Sequence, residues 1–86
     1  MNILFQTDTA FEKFSQRMAY DLDGNAEYVG YCDPEHVSSE TDQPCWAIKK
    51  IVYDGSGNPS QVLWVRSGRD ISVIQVWDDR ESLTYV

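Results

Sequence analysis

The residues with metal-binding or nucleophilic chemistry gather in one stretch. Cys32, His36 and Cys45 lie among Asp33, Glu35, Glu40 and Asp42. Thiolate, imidazole and carboxylate all ligate zinc. A structural zinc site, however, takes four ligands and commonly uses close cysteine pairs, which this chain lacks. No metal is expected here. For the cysteines two readings stay open. Cys32 and Cys45 could close a disulfide across the two roots of one loop, stabilising by roughly 2–3 kcal/mol in an oxidising medium. Alternatively they are two small buried thiols, as synthesis in a cytoplasm would leave them.

No nucleophile–base set accompanies them. His36 is the only histidine, and it sits in the most polar segment of the chain. Gly-x-Ser-x-Gly, phosphate-loop and HExxH patterns are all missing. Carboxylate pairs are expected by chance where 14 residues are acidic. Neither an enzyme nor a cofactor is expected. The run Asp21-Leu22-Asp23-Gly24-Asn25 resembles the start of a calcium loop, but the position that needs a bidentate Glu is Cys32. A hairpin turn, with Asp and Asn bonding their own backbone, accounts for that run. The aromatics Trp46, Trp64, Trp77, Tyr20, Tyr28, Tyr31, Tyr53 and Tyr85 suit a core, a subunit interface or a sugar-stacking platform.

These residues must be positioned by β-structure. From Trp46 to Val65 two apolar-rich arms flank Asp54-Gly55-Ser56-Gly57-Asn58-Pro59. Alternation sets Ile48, Lys50 and Val52 on one side, with Ala47, Lys49, Ile51 and Tyr53 on the other. Gly and Asn supply the turn, so this is a hairpin. The opening segment is ambiguous. Thr9 and Glu12 read as a capping box, with Phe11, Phe14 and Met18 on one helical face. An internal repeat favours a strand instead. Met18 to Asn25 followed by Val29 matches Ile51 to Asn58 followed by Val62, each pair offset by 33 positions, and Tyr31 falls opposite Trp64. The expectation is two similar hairpins, with at most one helical turn near Thr9 to Lys13.

The resulting plan is one all-β domain over residues 1–86, a small antiparallel sandwich or barrel of about five or six strands. It runs as an N-terminal arm (1–13), a first hairpin (15–32), an acidic loop (33–45), a second hairpin (46–66), a last strand (70–77) and a C-terminal tail (78–86). Ile71 to Trp77 carries apolar residues on both sides, which reads as a strand either central to a core or covered by a neighbouring subunit. The tail is expected to turn helically and fold Leu83 and Tyr85 back on the sheet.

Charge narrows the partners. The net charge is −7, and the seven basic residues are scattered, so a nucleic-acid backbone is not an expected partner. No apolar run approaches the ~20 residues of a membrane span, so no membrane is expected either. The N-terminus lacks the basic lead and apolar core of a secretory signal, which reads as synthesis and folding in a cytoplasm.

Several segments together resemble a known group. They are Phe11 to Tyr20, Glu27 to Tyr31, Trp46 to Lys50, Tyr53-Asp54, Gly57-Asn58, Trp77 to Arg80 and Ser82 to Tyr85. This series is similar to a family of small structural proteins of tailed-bacteriophage virions. The resemblance runs from about Phe11 to Tyr85. It departs at Asp33 to Pro44, where such proteins carry a small Gly/Ala/Ser/Thr-rich loop. The resemblance implies a non-enzymatic part of the virion, assembled in the host cytoplasm and bound to other virion structural proteins, in a homo-oligomer. An accessory role in tail, neck or baseplate is expected. The alternatives are a capsid decoration protein or a host-surface glycan-binding module. Contacts are expected from Ile3, Leu4 and Phe5 at one end and Trp77, Arg80, Leu83 and Tyr85 at the other, because those termini are apolar beyond what the sheet needs.

Overall fold

The computed structural model describes residues 11–86. Its strands are β1 (Ser15–Tyr20), β2 (Ala26–Cys32), β3 (Pro44–Tyr53), β4 (Pro59–Trp64), β5 (Arg66–Ser67), β6 (Asp70–Ile71) and β7 (Gln75–Val76), followed by a 3₁₀ helix over Trp77–Ser82. The sheet order is β1-β2-β3-β4, entirely antiparallel, with β7 pairing the start of β3 on the same side as β4. β5 and β6 form a separate two-stranded ribbon. The fold is the small antiparallel all-β domain that the alternation indicates, and its sheet stays open rather than closing into a barrel.

The 33-residue repeat is a structural repeat. Asp21 and Asp54 each accept, on Oδ1, the backbone N–H groups two and four residues on, at 2.9–3.0 Å. Gly24 and Gly57 sit at φ +84° and +82°, the left-handed region that L side chains rarely adopt. Each hairpin also carries one register shift next to its turn, between Ala19 and Tyr20 in one and between Val52 and Tyr53 in the other. The same local sequence therefore produces the same turn and the same bulge twice.

Both faces of the sheet are filled. Val29, Tyr31, Ala47, Ile51 and Trp64 form one core with Phe11, and Phe14, Met18, Tyr53 and Ile71 pack against it. Phe11, Tyr31 and Trp64 stack with centroids 5.0–5.9 Å apart. Tyr28, Cys32, Cys45, Trp46, Ile48 and Trp77 form the other, with Ala19, Leu83 and Tyr85 against it. Burying each of these large apolar side chains contributes about 1.5–3 kcal/mol, and the two faces share the central strands β2 and β3. Gly30 belongs to the second face. A Cβ there would lie 2.5 Å from Trp77 Cε3 and 2.9 Å from Trp46 Cε3, so the absent side chain is what lets the Trp77 ring lie on the sheet.

Two expectations change. The segment 70–77 is not one strand: after β6 the chain leaves the ribbon, exposes Val73 and Ile74, and re-enters as β7. Its apolar residues serve two faces in succession, Ile71 on the first core and Trp77 on the second. A two-sided pattern thus marks a crossing around the sheet edge rather than a central strand. The second hairpin begins at Pro44, because Pro44 and Trp46 pair Val76 and Gln75. Of the helical turn near Thr9 to Lys13, the described part is a single 3₁₀ turn at Phe11, closed by Phe14 N–H to the Phe11 carbonyl at 3.0 Å.

Candidate functional site: an open sheet edge and a strapped acidic loop

Trp77, Arg80, Leu83 and Tyr85 come together, but on the domain's own sheet. Trp77 is buried against Trp46, with ring centroids 5.5 Å apart. The Arg80 guanidinium lies over the Trp77 ring at 4.8 Å and donates from Nη1 to the Trp77 carbonyl at 3.3 Å. Tyr85 donates its hydroxyl to the Arg80 carbonyl at 2.8 Å, and its ring meets Tyr28. Burial, with Tyr28 nearby, pushes the Tyr85 hydroxyl well above its ordinary pKa. The apolar surplus of the C-terminus therefore fills the second core. One polar group in it is left over: Arg80 Nε is buried with no hydrogen-bond partner among the described residues. Ile3, Leu4 and Phe5 lie outside the described residues.

The aromatics are spent in the same way. Trp46, Trp64, Trp77, Tyr28 and Tyr31 are buried, Tyr53 and Tyr85 half-buried, and among the described tyrosines and tryptophans Tyr20 alone is exposed. Lys49, also buried, carries its Nζ 5.4 Å from the Tyr31 ring and 5.5 Å from Trp64, so these rings hold an internal cation.

The acidic loop is fastened at many points. Asp33 N–H donates to the Cys45 carbonyl at 3.0 Å, and Asp33 Oδ1 accepts from Glu35 N–H at 2.8 Å. Glu40 closes a small cap, taking Val37 N–H on Oε1 at 3.1 Å and His36 Nδ1 on Oε2 at 3.0 Å. The hydrogen bond to Glu40 holds the His36 pKa above its ordinary value, and the bond from His36 holds Glu40 below its own. Trp46 Nε1 donates to the Glu40 carbonyl at 3.0 Å, tying the loop to the core. Arg17 on β1 donates to the Ser38 carbonyl, and Asp78 N–H donates to the Thr41 carbonyl. Among the described residues no group of three His, Cys, Asp or Glu side chains is placed to hold a metal ion.

Cys32 and Cys45 are both buried and free, with their Sγ atoms 3.9 Å apart. Burial, then the neighbouring Cys45, pushes the Cys32 thiol up to about 12, and burial also raises Cys45.

What the sequence reading missed is the outer edge of β4. Pro59-Ser60-Gln61-Val62-Leu63-Trp64 holds no charged residue, and all but Leu63 and Trp64 are exposed. Trp64 turns its N–H and C=O away from β3, exchanging hydrogen bonds with Val86 at 3.2 and 3.0 Å. In an antiparallel pair these groups alternate, so Val62, two residues earlier, presents its N–H and C=O to the same outer side. Its side chain is 42% exposed. The signal was present as a charge-free run in a chain that is 24% charged. No protein-family model, curated protein or solved structure matches this chain.

Proposed function

We propose that this protein is a non-enzymatic structural part of a tailed-bacteriophage virion, an accessory component of tail, neck or baseplate that binds other virion proteins by strand addition at β4. The observation that carries the reading is the contrast between filled faces and an open edge. Both sides of the central sheet are covered by the chain itself, whereas the first four residues of β4, Pro59 to Val62, are exposed and uncharged and Val62 turns its backbone to the outer side. Soluble domains ordinarily blunt such edges with charge, proline or bulges, because an open strand is a template for another chain. Here the charge is kept elsewhere, and the first residue of the strand is its one proline. Strand addition gives affinity through main-chain bonds and specificity through alternate side chains, which suits a repeated assembly contact. The net charge of −7 keeps such a part off packaged nucleic acid. The resemblance described above supplies the virion context.

The test is copurification. Phage particles banded on a density gradient carry the protein at a fixed stoichiometry, and Val62→Lys, which sets a charge on the open edge, leaves the domain folded but removes it from the particles. Absence of the protein from particles overturns the virion assignment. Undiminished incorporation of the folded Val62→Lys variant overturns the edge as the contact.

A further inference from the structure

We propose that Cys32 and Cys45 are an oxidation site, a built dithiol that closes to an intramolecular disulfide and staples the two roots of the acidic loop. The inference does not depend on the virion reading. It starts from the backbone. Cys32 pairs Trp46 across β2 and β3, and the next bond along the ladder is Asp33 N–H to the Cys45 carbonyl at 3.0 Å. In a regular strand Cys45 and Trp46 would point to opposite faces. The start of β3 is not regular: Pro44 and Trp46 meet the successive β7 residues Val76 and Gln75, so Cys45 is the extra residue of a bulge. A bulge re-aims a side chain, and here Cys45 joins Cys32, Trp46 and Trp77 in one core.

The two sulfurs therefore face each other across 3.9 Å. A disulfide needs about 2.05 Å, so bond formation requires the two side chains, on neighbouring strands but not in register, to rotate toward each other. Their other contacts are weak: Cys32 Sγ lies 3.6 Å from the Asp33 carbonyl oxygen and Cys45 Sγ 3.9 Å from that of Glu40. Glu40 keeps its stronger partner, the Trp46 indole, when the thiol proton is lost. The loop's histidine is held by Glu40 instead of turning to the sulfurs.

The oxidant is a small-molecule disulfide such as oxidised glutathione. Cys45, the less enclosed of the two, attacks as its thiolate and expels one glutathione thiolate, which takes up a proton. Cys32 then loses its proton, attacks Cys45 Sγ and expels the second glutathione. Two protein thiols and one glutathione disulfide become one protein disulfide and two glutathione thiols, with two electrons passing to glutathione. Burial holds both thiols protonated, so the step follows local opening of the loop and accelerates with rising pH.

The experiment equilibrates the folded chain in a series of reduced-to-oxidised glutathione buffers at pH 8, quenches with acid, alkylates under denaturing conditions and weighs the intact protein. Two alkylated cysteines are expected at the reducing end. At the oxidising end none is expected, with no glutathione adduct and full reversal by dithiothreitol. The bridged chain should melt roughly 10–20 °C higher than the reduced one. It should also be cut more slowly after Glu35 and Glu40 by a glutamyl protease, a difference absent from a Cys32→Ala/Cys45→Ala variant. Two surviving thiols, stable glutathione adducts or cross-linked dimers at the oxidising end overturn the site. Equal cleavage of the bridged and reduced chains overturns the stapling of the loop.

Discussion

The two hairpins offer an internal comparison with local sequence held nearly constant. Turn for turn they are alike: Asp21 and Asp54, Gly24 and Gly57, and the register shifts beside Tyr20 and Tyr53 repeat at the same offset. Their burial is not alike. β1, at the edge, is mostly exposed, while its counterpart β3, in the centre, is buried along most of its length. Ser15 in one stands where Ile48 stands in the other, and Gly30 where Leu63 stands. Turn geometry is thus a property of five or so residues, whereas a strand's burial is set by what lies beside it.

The sharpest break of the comparison is at the centre. Ile48→Ala should cost about 3–4 kcal/mol in urea unfolding, as for a fully buried aliphatic side chain, while Ser15→Ala at the equivalent exposed position changes stability by less than about 0.5 kcal/mol. Next is Gly30→Ala, expected to cost about 2–3 kcal/mol because the new Cβ overlaps the Trp77 ring. Its near-ultraviolet circular dichroism should change as the indole shifts. Leu63→Ala, on the half-buried edge, should cost about 1 kcal/mol and leave that signal alone.

Smaller effects sharpen the likeness. Asp21→Ala and Asp54→Ala each remove two hydrogen bonds from the turn and should each cost about 1 kcal/mol, equal within error. Unequal costs would mean that the tips differ energetically despite their shared geometry. The tyrosines should part company: Tyr53 donates to the Ala26 carbonyl of the neighbouring hairpin at 2.7 Å, whereas Tyr20 is exposed at the edge. Tyr53→Phe should cost about 1 kcal/mol and Tyr20→Phe close to nothing.

The weakest effect lies in the loop, the part with no counterpart in the repeat. His36 titrates above its ordinary value of 6.5, so its contribution is complete below 6.5 and is lost as pH rises through the raised folded value. Glu40 titrates below its ordinary 4.5, so its contribution is complete above 4.5 and is lost as pH falls through the lowered folded value. The pair is therefore at full strength between those ordinary values. Proton NMR titration of the imidazole should report a midpoint above 6.5 that returns toward it in Glu40→Gln. An unchanged midpoint in that variant would exclude Glu40 as the cause.

Local features were legible because their causes are local. The second hairpin, its alternation and both turns follow from Asp, Gly and Asn at fixed spacing, and the repeat assigned Ser15–Tyr20 to a strand over a competing helical pattern. The candidate site was less legible. Trp77, Arg80, Leu83 and Tyr85 carry enough apolar surface for an interface, but the same surface closes a core when the chain turns back, and composition does not say which. The β4 edge went unread because a strand shows its composition in sequence and its neighbours only in space.

By itself, then, the sequence determined the all-β class, the twin turns and an acidic, loop-bearing surface. Each of these follows from backbone preference, side-chain alternation or charge, which act over a few residues or need no geometry at all. The tertiary structure alone decided which strand of each hairpin is central and that residues 70–77 wrap from one face to the other. It also decided that a bulge at Cys45 brings two thiols 13 positions apart to within 3.9 Å. Those outcomes depend on which strands become neighbours, and that choice is made by burying both faces of one sheet at once.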